Sequence, residues 1–101
     1  MKPPPLKPAE MAMVHAVFRL HPEIETATLF GSRAKGAHTE RSDVDLVVTG
    51  DVDPLRAEGI AAELDELPLP YRFEVQSLAH VRYRPLLDHI QRVGIQIYPA
   101  K

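Results

Sequence analysis

The sequence contains no cysteine. This absence excludes a disulfide-stabilised fold, a zinc site built on cysteine ligands and catalysis by a thiol. The sequence also lacks an apolar run long enough to cross a bilayer, and its first residues do not follow the pattern of a signal peptide. We therefore expect a cytoplasmic protein that makes no contact with a membrane.

The chain has no large excess of charge of either sign. Twelve Lys and Arg residues stand against 14 Asp and Glu residues, which gives a net charge of −2 at pH 7. A dedicated nucleic-acid binder normally carries a clear basic excess, so we expect no direct binding to nucleic acid. The 101 residues, 45% of them hydrophobic, are enough for one domain with a single core.

The pattern of apolar residues predicts helices and strands in alternation. Residues 1–8 hold four prolines and are predicted to form a flexible, proline-rich tail before a single domain over residues 9–101. The segment between the first two strands is too short for a parallel crossover, so we expect those strands to be antiparallel. The first three predicted helices cover about 9–20, 32–38 and 54–67, and the last one starts between residues 77 and 80 and ends at 94. The predicted strands cover 26–30, 43–49 and 71–76, with a short last strand at 95–98.

Two aspartates lie two positions apart in the second predicted strand. Because side chains alternate along a strand, Asp43 and Asp45 leave it by the same face. Two like charges side by side repel, and a folded chain tolerates this when solvent reaches the pair or a cation lies between them. Mg²⁺ binds through one or two carboxylates together with the phosphate oxygens of a substrate, which suits this pair.

The turn after the first predicted strand supplies what a phosphate group needs. Gly31 lets the backbone approach a ligand closely, and Ser32 adds a hydroxyl beside the N–H groups of a predicted helix start. Positive charge surrounds the same turn, from Arg33, Lys35 and Arg41. A Gly-Ser turn or an Asp-x-Asp pair alone is commonly without function. The two in this order point to a phosphate site.

These two segments together resemble a known signature. The run Gly31-Ser32-Arg33-Ala34-Lys35-Gly36, followed by Ser42-Asp43-Val44-Asp45-Leu46, is similar to the motif of the nucleotidyltransferase superfamily that includes DNA polymerase beta. Within that superfamily the chain resembles the minimal nucleotidyltransferases (MNT proteins), which are often the antitoxin partners of HEPN-domain toxins. The resemblance implies an α+β (α/β) fold of the polymerase beta-like nucleotidyltransferase type. That fold is a small mixed β-sheet with helices packed on it, in the order αβαβαβα.

The resemblance also implies an activity and its site. The expected reaction is Mg²⁺-dependent transfer of AMP from ATP to a hydroxyl group, which in MNT proteins is a tyrosine hydroxyl of the cognate HEPN toxin. Two Mg²⁺ ions are expected. The implied catalytic and metal-binding residues are Asp43, Asp45 and Glu74, and the implied nucleotide-binding residues are Gly31, Ser32, Arg33 and Lys35.

Glu74 departs from the pattern, because MNT proteins mostly carry aspartate at the matching position. The additional methylene moves the carboxylate outward and changes the metal spacing. Glu74 is alternatively an exposed strand residue paired with Arg72 or Arg33.

Two other functions stay open: a non-catalytic module that neutralises its partner by binding alone, and a nucleotidyltransferase that acts on a small molecule such as an antibiotic. The missing substrate domain weakens the second.

The remaining candidate residues receive structural roles or none. Asp51 and Asp53 repeat the Asp-x-Asp pattern, but Asp53 precedes Pro54 and is predicted to cap the next helix instead of binding a metal. The histidines show no zinc-binding spacing, so none of them is assigned a role. They are His15, His21, His38, His80 and His89.

Overall fold

A computed structural model describes residues 5–99 of the chain. Helices and strands alternate along this range, as the sequence predicts, and a strand closes it. The helices are α1 (Pro8–Phe18), α2 (Ser32–Lys35), α3 (Pro54–Asp65) and α4 (Arg84–Val93), and a 3₁₀ turn covers Leu78–His80. The strands are β1 (Ile24–Phe30), β2 (Val44–Gly50), β3 (Phe73–Ser77) and β4 (Ile95–Tyr98).

The four strands form one mixed sheet in the order β3-β2-β1-β4. β1 is antiparallel to both of its neighbours, whereas β2 and β3 run parallel. The predicted antiparallel pairing of the first two strands is therefore confirmed. Its register places Phe30 opposite Asp45, and the parallel pairing places Asp45 opposite Glu74.

One face of the sheet builds the main core together with α1 and α3. Strand alternation sends Leu29 of β1 and Val44, Leu46 and Val48 of β2 to this face, as predicted from the sequence. Burying a side chain of this size stabilises the fold by about 2 kcal/mol. The largest side chains that are fully buried in this core include Phe18, Leu29, Leu46, Ile60 and Leu64.

The opposite face of the sheet is only partly covered. Phe30 and Val47 form a second apolar cluster with Val81, and side chains of α4 pack against it. Asp45 lies two positions before Val47 in β2, so its side chain leaves by this same face. The part of that face around Asp45 is polar, and Glu74 on the neighbouring strand is exposed.

Part of the segment predicted to be a proline-rich tail lies within the described residues. Residues 1–4 lie outside the described range. Leu6 is only 4% exposed and belongs to the main core, and Pro8 begins α1. The N–H of Lys7 donates to Glu10 Oε1 at 3.0 Å across the first turn. Leu6 is thus packed in the core just ahead of α1.

Several predicted boundaries shift by a few residues. β2 begins at Val44, so Asp43 directly precedes the strand. α2 ends at Lys35, because Gly36 adopts the left-handed conformation (φ 76°, ψ 16°) that closes a helix. The last helix begins at Arg84, after the 3₁₀ turn. In the described part of the chain, no helix is both long and apolar enough to span a membrane.

Candidate active site

Two carboxylates meet on the open face of the sheet. Asp45 and Glu74 are partners on the neighbouring parallel strands, and their side chains are within hydrogen-bonding contact. Burial raises the pKa of Asp45 to about 6, with further contributions from the hydrogen bond and charge of Glu74 and from the charge of Asp43. The structure therefore brings both Glu74 and Asp43 within electrostatic reach of Asp45.

The Gly31 bend lies directly against this carboxylate pair. Gly31 has φ 79° and ψ −154°, a backbone region that is essentially reserved for glycine. A Cβ atom built on Gly31 would overlap Asp45 Oδ2, so a side chain here would also displace the carboxylate. The predicted juxtaposition of bend and aspartate is present, and it follows from the pairing of Phe30 with Asp45.

Ser32 and Lys35 flank the bend at the two ends of α2. Both side chains are exposed to solvent. Ser32 adds a hydroxyl directly after Gly31, and Lys35 adds a positive charge one helical turn further along. This pairing of cation and hydroxyl beside acidic residues is chemically suited to a polyphosphate accompanied by a divalent ion.

Arg33 does not join them, and its prediction as a nucleotide-binding residue needs correction. The side chain points into the protein and is only 4% exposed. Four of its five N–H groups donate to backbone carbonyl oxygens, which leaves little capacity for a phosphate. The acceptors are the carbonyl oxygens of Ser42 (3.0 Å), Pro5 (2.9 Å), Thr39 (3.3 Å) and Glu40 (3.1 Å).

The Arg33 guanidinium instead supports the approach to Asp43. It stacks over the ring of Tyr71 at 4.3 Å from the centroid and holds the loop of residues 39–42 by its carbonyl groups. Burial, and next the charge of Glu10, raise the pKa of the Tyr71 hydroxyl to about 12, so the ring stays neutral beneath the cation. Arg33 therefore acts on the site through the backbone that precedes the aspartates.

One histidine reaches the site, although its sequence context predicts no role for it. The N–H of Gly31 donates to Nε2 of His89 in α4 at 3.1 Å. The imidazole also packs edge-on against Phe30, with the ring centroids 6.1 Å apart. The two partners are 58 residues apart in sequence, and a lone histidine in an amphipathic helix carries no signal of this contact.

The acidic residues of the site supply part of what a magnesium ion needs. Within residues 5–99, no group of three or more His, Asp or Glu side chains is placed to hold a metal ion by itself. Asp45 and Glu74 nevertheless form a repelling pair, which a cation between them would relieve. Mg²⁺ usually keeps several waters and takes one or two carboxylates plus substrate phosphates. The residues fit an ion that arrives with a triphosphate, and they do not form a ready-made cage.

The family of the chain follows from a match over most of its length. Residues 13–101 match the family described as polymerase beta, nucleotidyltransferase. The chain belongs to this family. The match includes all four strands, the Gly31 bend and the acidic residues of both β2 and β3.

Solved structures with the same fold come from toxin–antitoxin complexes. One is a toxin–antitoxin crystal structure with AMP-PNP, at a TM-score of 0.74 and 19% identity over 90% of this chain and 74% of that chain. Another is a tri-AMPylated Shewanella oneidensis HEPN toxin in complex with an MNT antitoxin, at a TM-score of 0.69 and 17% identity over 91% of this chain and 71% of that one. These likenesses confirm the predicted polymerase beta-like fold.

A shorter stretch matches an archaeal protein more closely. A protein of Methanocaldococcus jannaschii, provisionally named a protein adenylyltransferase, is 53% identical over 30 residues. The match spans 30% of this chain and 30% of that relative, so it bears on one segment of each.

Replacing Arg33 by lysine tests its structural role. Lysine keeps the charge but cannot reproduce the planar set of donors, so we expect the free energy of unfolding to fall by about 2–4 kcal/mol. Urea denaturation measures this change. The control is Lys35→Ala in the same short helix, which should stay within about 0.5 kcal/mol of the wild type because the side chain is exposed. A fall of similar size in both variants would contradict the role.

Replacing Asp45 by asparagine tests the repulsion in the site. A pKa raised from 3.8 to about 6 means that the folded state holds this proton more tightly than the unfolded state, so stability is lost as the pH rises through that interval. The residue is partly solvated, and we expect metal-free Asp45→Asn to gain only about 1 kcal/mol over the wild type at neutral pH. At about pH 4 the two should agree. Urea denaturation in EDTA at both pH values measures the difference, and a less stable variant at neutral pH would contradict the repulsion.

Proposed function

We propose that this chain is a Mg²⁺-dependent nucleotidyltransferase that transfers AMP from ATP to a hydroxyl group of a partner protein. The observation that carries the proposal is the contact of the Gly31 bend with the Asp45 carboxylate, beside Glu74, on the partly covered face of a nucleotidyltransferase-family fold. A phosphate-binding turn and a carboxylate pair are thus adjacent, where a ligand can reach both.

The triphosphate lies along the bend in this proposal. Gly31 allows close approach of the backbone, Ser32 offers its hydroxyl, and Lys35 offers positive charge. Arg33 is left out, because its guanidinium is buried among carbonyl groups. Backbone and hydroxyl donors together with one lysine are sufficient to orient phosphates whose charge is largely neutralised by metal ions.

Asp43, Asp45 and Glu74 would hold the Mg²⁺ ions. The family resemblance implies two such ions. When bound, the ions supply neutralisation of the triphosphate charge and acidification of the acceptor hydroxyl. The raised pKa of Asp45 supports this assignment, because a site that repels its own charges gains most from a cation. The carboxylates fix where the phosphates and the acceptor meet, and this positioning is the main contribution of the protein.

The reaction is an in-line displacement at the α-phosphorus. The oxygen of the acceptor hydroxyl forms a new bond to that phosphorus, the bond between the α-phosphorus and the bridging oxygen breaks, and pyrophosphate leaves with the bond electrons. The acceptor proton passes to a nearby base. Glu74 lies on the edge strand β3 and is exposed, so its carboxylate can face both the substrate and an incoming protein. We assign it the proton transfer.

The acceptor proposed here is a tyrosine of a cognate HEPN toxin. The structures that share this fold support the class of partner, since one contains a tri-AMPylated HEPN toxin with its MNT antitoxin. A fold with an open carboxylate face and no second domain between residues 5 and 99 leaves recognition of the acceptor to the partner. AMP transfer would then silence the toxin, which gives this chain the role of an antitoxin.

One observation favours a non-catalytic antitoxin of the same fold. Residues 5–99 hold no preassembled cluster of three metal ligands, and Glu74 replaces the usual aspartate. A protein that neutralises its partner by binding alone would show poor metal affinity and no labelling of the partner. The alternative is therefore decided by the same transfer assay.

Alanine at both aspartates tests the reaction. Incubation of the chain with its HEPN partner, labelled ATP and Mg²⁺ should label the partner, and Asp43→Ala with Asp45→Ala should reduce the rate at least 100-fold, because charge neutralisation is lost. Asp51→Ala, in the second Asp-x-Asp pair, is the matched control and should keep full activity. Circular dichroism checks that each variant is folded. Transfer that survives the double substitution would remove these aspartates from the site, and absence of transfer in the wild type would favour the non-catalytic antitoxin.

Glutamine at position 74 separates turnover from binding. Glu74→Gln keeps the size of the side chain but removes the base, so kcat should fall at least tenfold while KM for ATP changes less than about threefold. Glu74→Asp, which restores the residue that MNT proteins mostly carry, should retain activity. Gln76→Ala on the same face of β3 is the control. Unchanged turnover in Glu74→Gln would exclude Glu74 as the base.

A further inference from the structure

His89 accepts a hydrogen bond from the Gly31 N–H, which is the backbone donor that a bound phosphate would use. Its Nε2 accepts the N–H of Gly31 at 3.1 Å, and its ring is held in place by the edge contact with Phe30. The same Gly31 lies so close to the Asp45 carboxylate that a Cβ atom there would overlap it. The imidazole and the carboxylate therefore both lie against one glycine, within the candidate site.

The direction of the hydrogen bond defines the state of the imidazole. A backbone N–H can only donate, so Nε2 must carry a lone pair and the ring proton must lie on Nδ1. His89 is then neutral and contributes no positive charge toward phosphates. Its effect on the bend is to occupy a donor, and it does so with an acceptor supplied by the chain itself.

This leads to an inference that rests on the proposed function. We propose that His89 is an internal occupant of the phosphate-binding bend, which holds the Gly31 N–H in the nucleotide-free protein and releases it when a phosphate oxygen of the nucleoside triphosphate takes that donor. His89 positions the bend while no nucleotide is bound. It also determines specificity, because a ligand must compete with it for the Gly31 N–H.

The exchange selects for charged ligands. A hydrogen bond from an amide to an anionic phosphate oxygen is roughly twice as strong as one between neutral groups. A phosphate therefore displaces the imidazole with a net gain, whereas water or a neutral hydroxyl would only replace one neutral acceptor by another. His89 thereby keeps the bend ordered and its amide satisfied until a polyphosphate arrives.

The exchange has a cost that can be measured as a change in nucleotide affinity. A neutral intramolecular hydrogen bond that must be broken lowers the affinity of its competitor by about threefold to tenfold. Removal of the acceptor by His89→Ala should therefore tighten nucleotide binding by that factor. His89→Gln keeps an acceptor, its Oε1, at a similar reach from the helix and should restore wild-type affinity to within about twofold.

Titration calorimetry with Mg²⁺ and AMP-PNP on the full chain measures these affinities. Asp88→Ala, an exposed neighbour on α4, is the control for changes in the helix alone. NMR of the Gly31 amide supplies a second readout: its proton signal should move upfield in His89→Ala and stay in place in His89→Gln. In the wild type, the Gly31 amide and the His89 ring signals should shift together as AMP-PNP is added.

The outcomes separate this inference from the function beneath it. Binding by the wild type with equal or weaker binding by His89→Ala would overturn the role of His89 and leave the nucleotidyltransferase proposal standing. A Gly31 amide signal that does not move in His89→Ala would overturn it as well. Absence of AMP-PNP binding in the wild type and in every variant would instead overturn the proposed function, and this inference with it.

Discussion

The register between β1 and β2 is the constraint from which the site follows. Pairing of Phe30 with Asp45 sets the end of the first strand beside the start of the second, and the chain must then turn away at Gly31 against the Asp45 carboxylate. A slip of one residue would send every side chain of β2 to the other face, placing Asp45 in the core and its apolar neighbours in solvent. The buried side chains therefore fix the position of the acidic one.

The site works against the stability of the fold, and the surrounding structure compensates. Asp45 and Glu74 share one face of the sheet at neighbouring positions, and their repulsion favours the protonated form of Asp45. The apolar face behind them, with Leu46 and Val48 fully buried, holds both strands in place regardless of that charge. Repulsion retained on a rigid sheet agrees with the proposed binding of a cation together with a polyphosphate.

The sequence was most informative where local pattern and chemistry coincide. The alternation of β2 and the shortness of the connection after Phe30 were sufficient to predict the antiparallel pair and the meeting of the Gly31 bend with Asp45. The prediction for Arg33 was wrong, because an arginine beside a phosphate-binding motif looks the same in sequence whether its side chain faces the ligand or the interior. Its carbonyl acceptors lie in the 39–42 loop and at Pro5, and backbone acceptors leave no trace in residue type.

His89 illustrates the other limit of sequence reasoning. Its partner is a backbone N–H far away along the chain, and only the packing of α4 on Phe30 brings the imidazole to Gly31. Arg33 and His89 thus play matching parts around one short motif. Arg33 holds the loop that leads to the aspartates from within the protein, and His89 holds the glycine from the side of α4. A motif of a few residues defines the chemistry, while distant elements determine how ready its backbone is to accept a ligand.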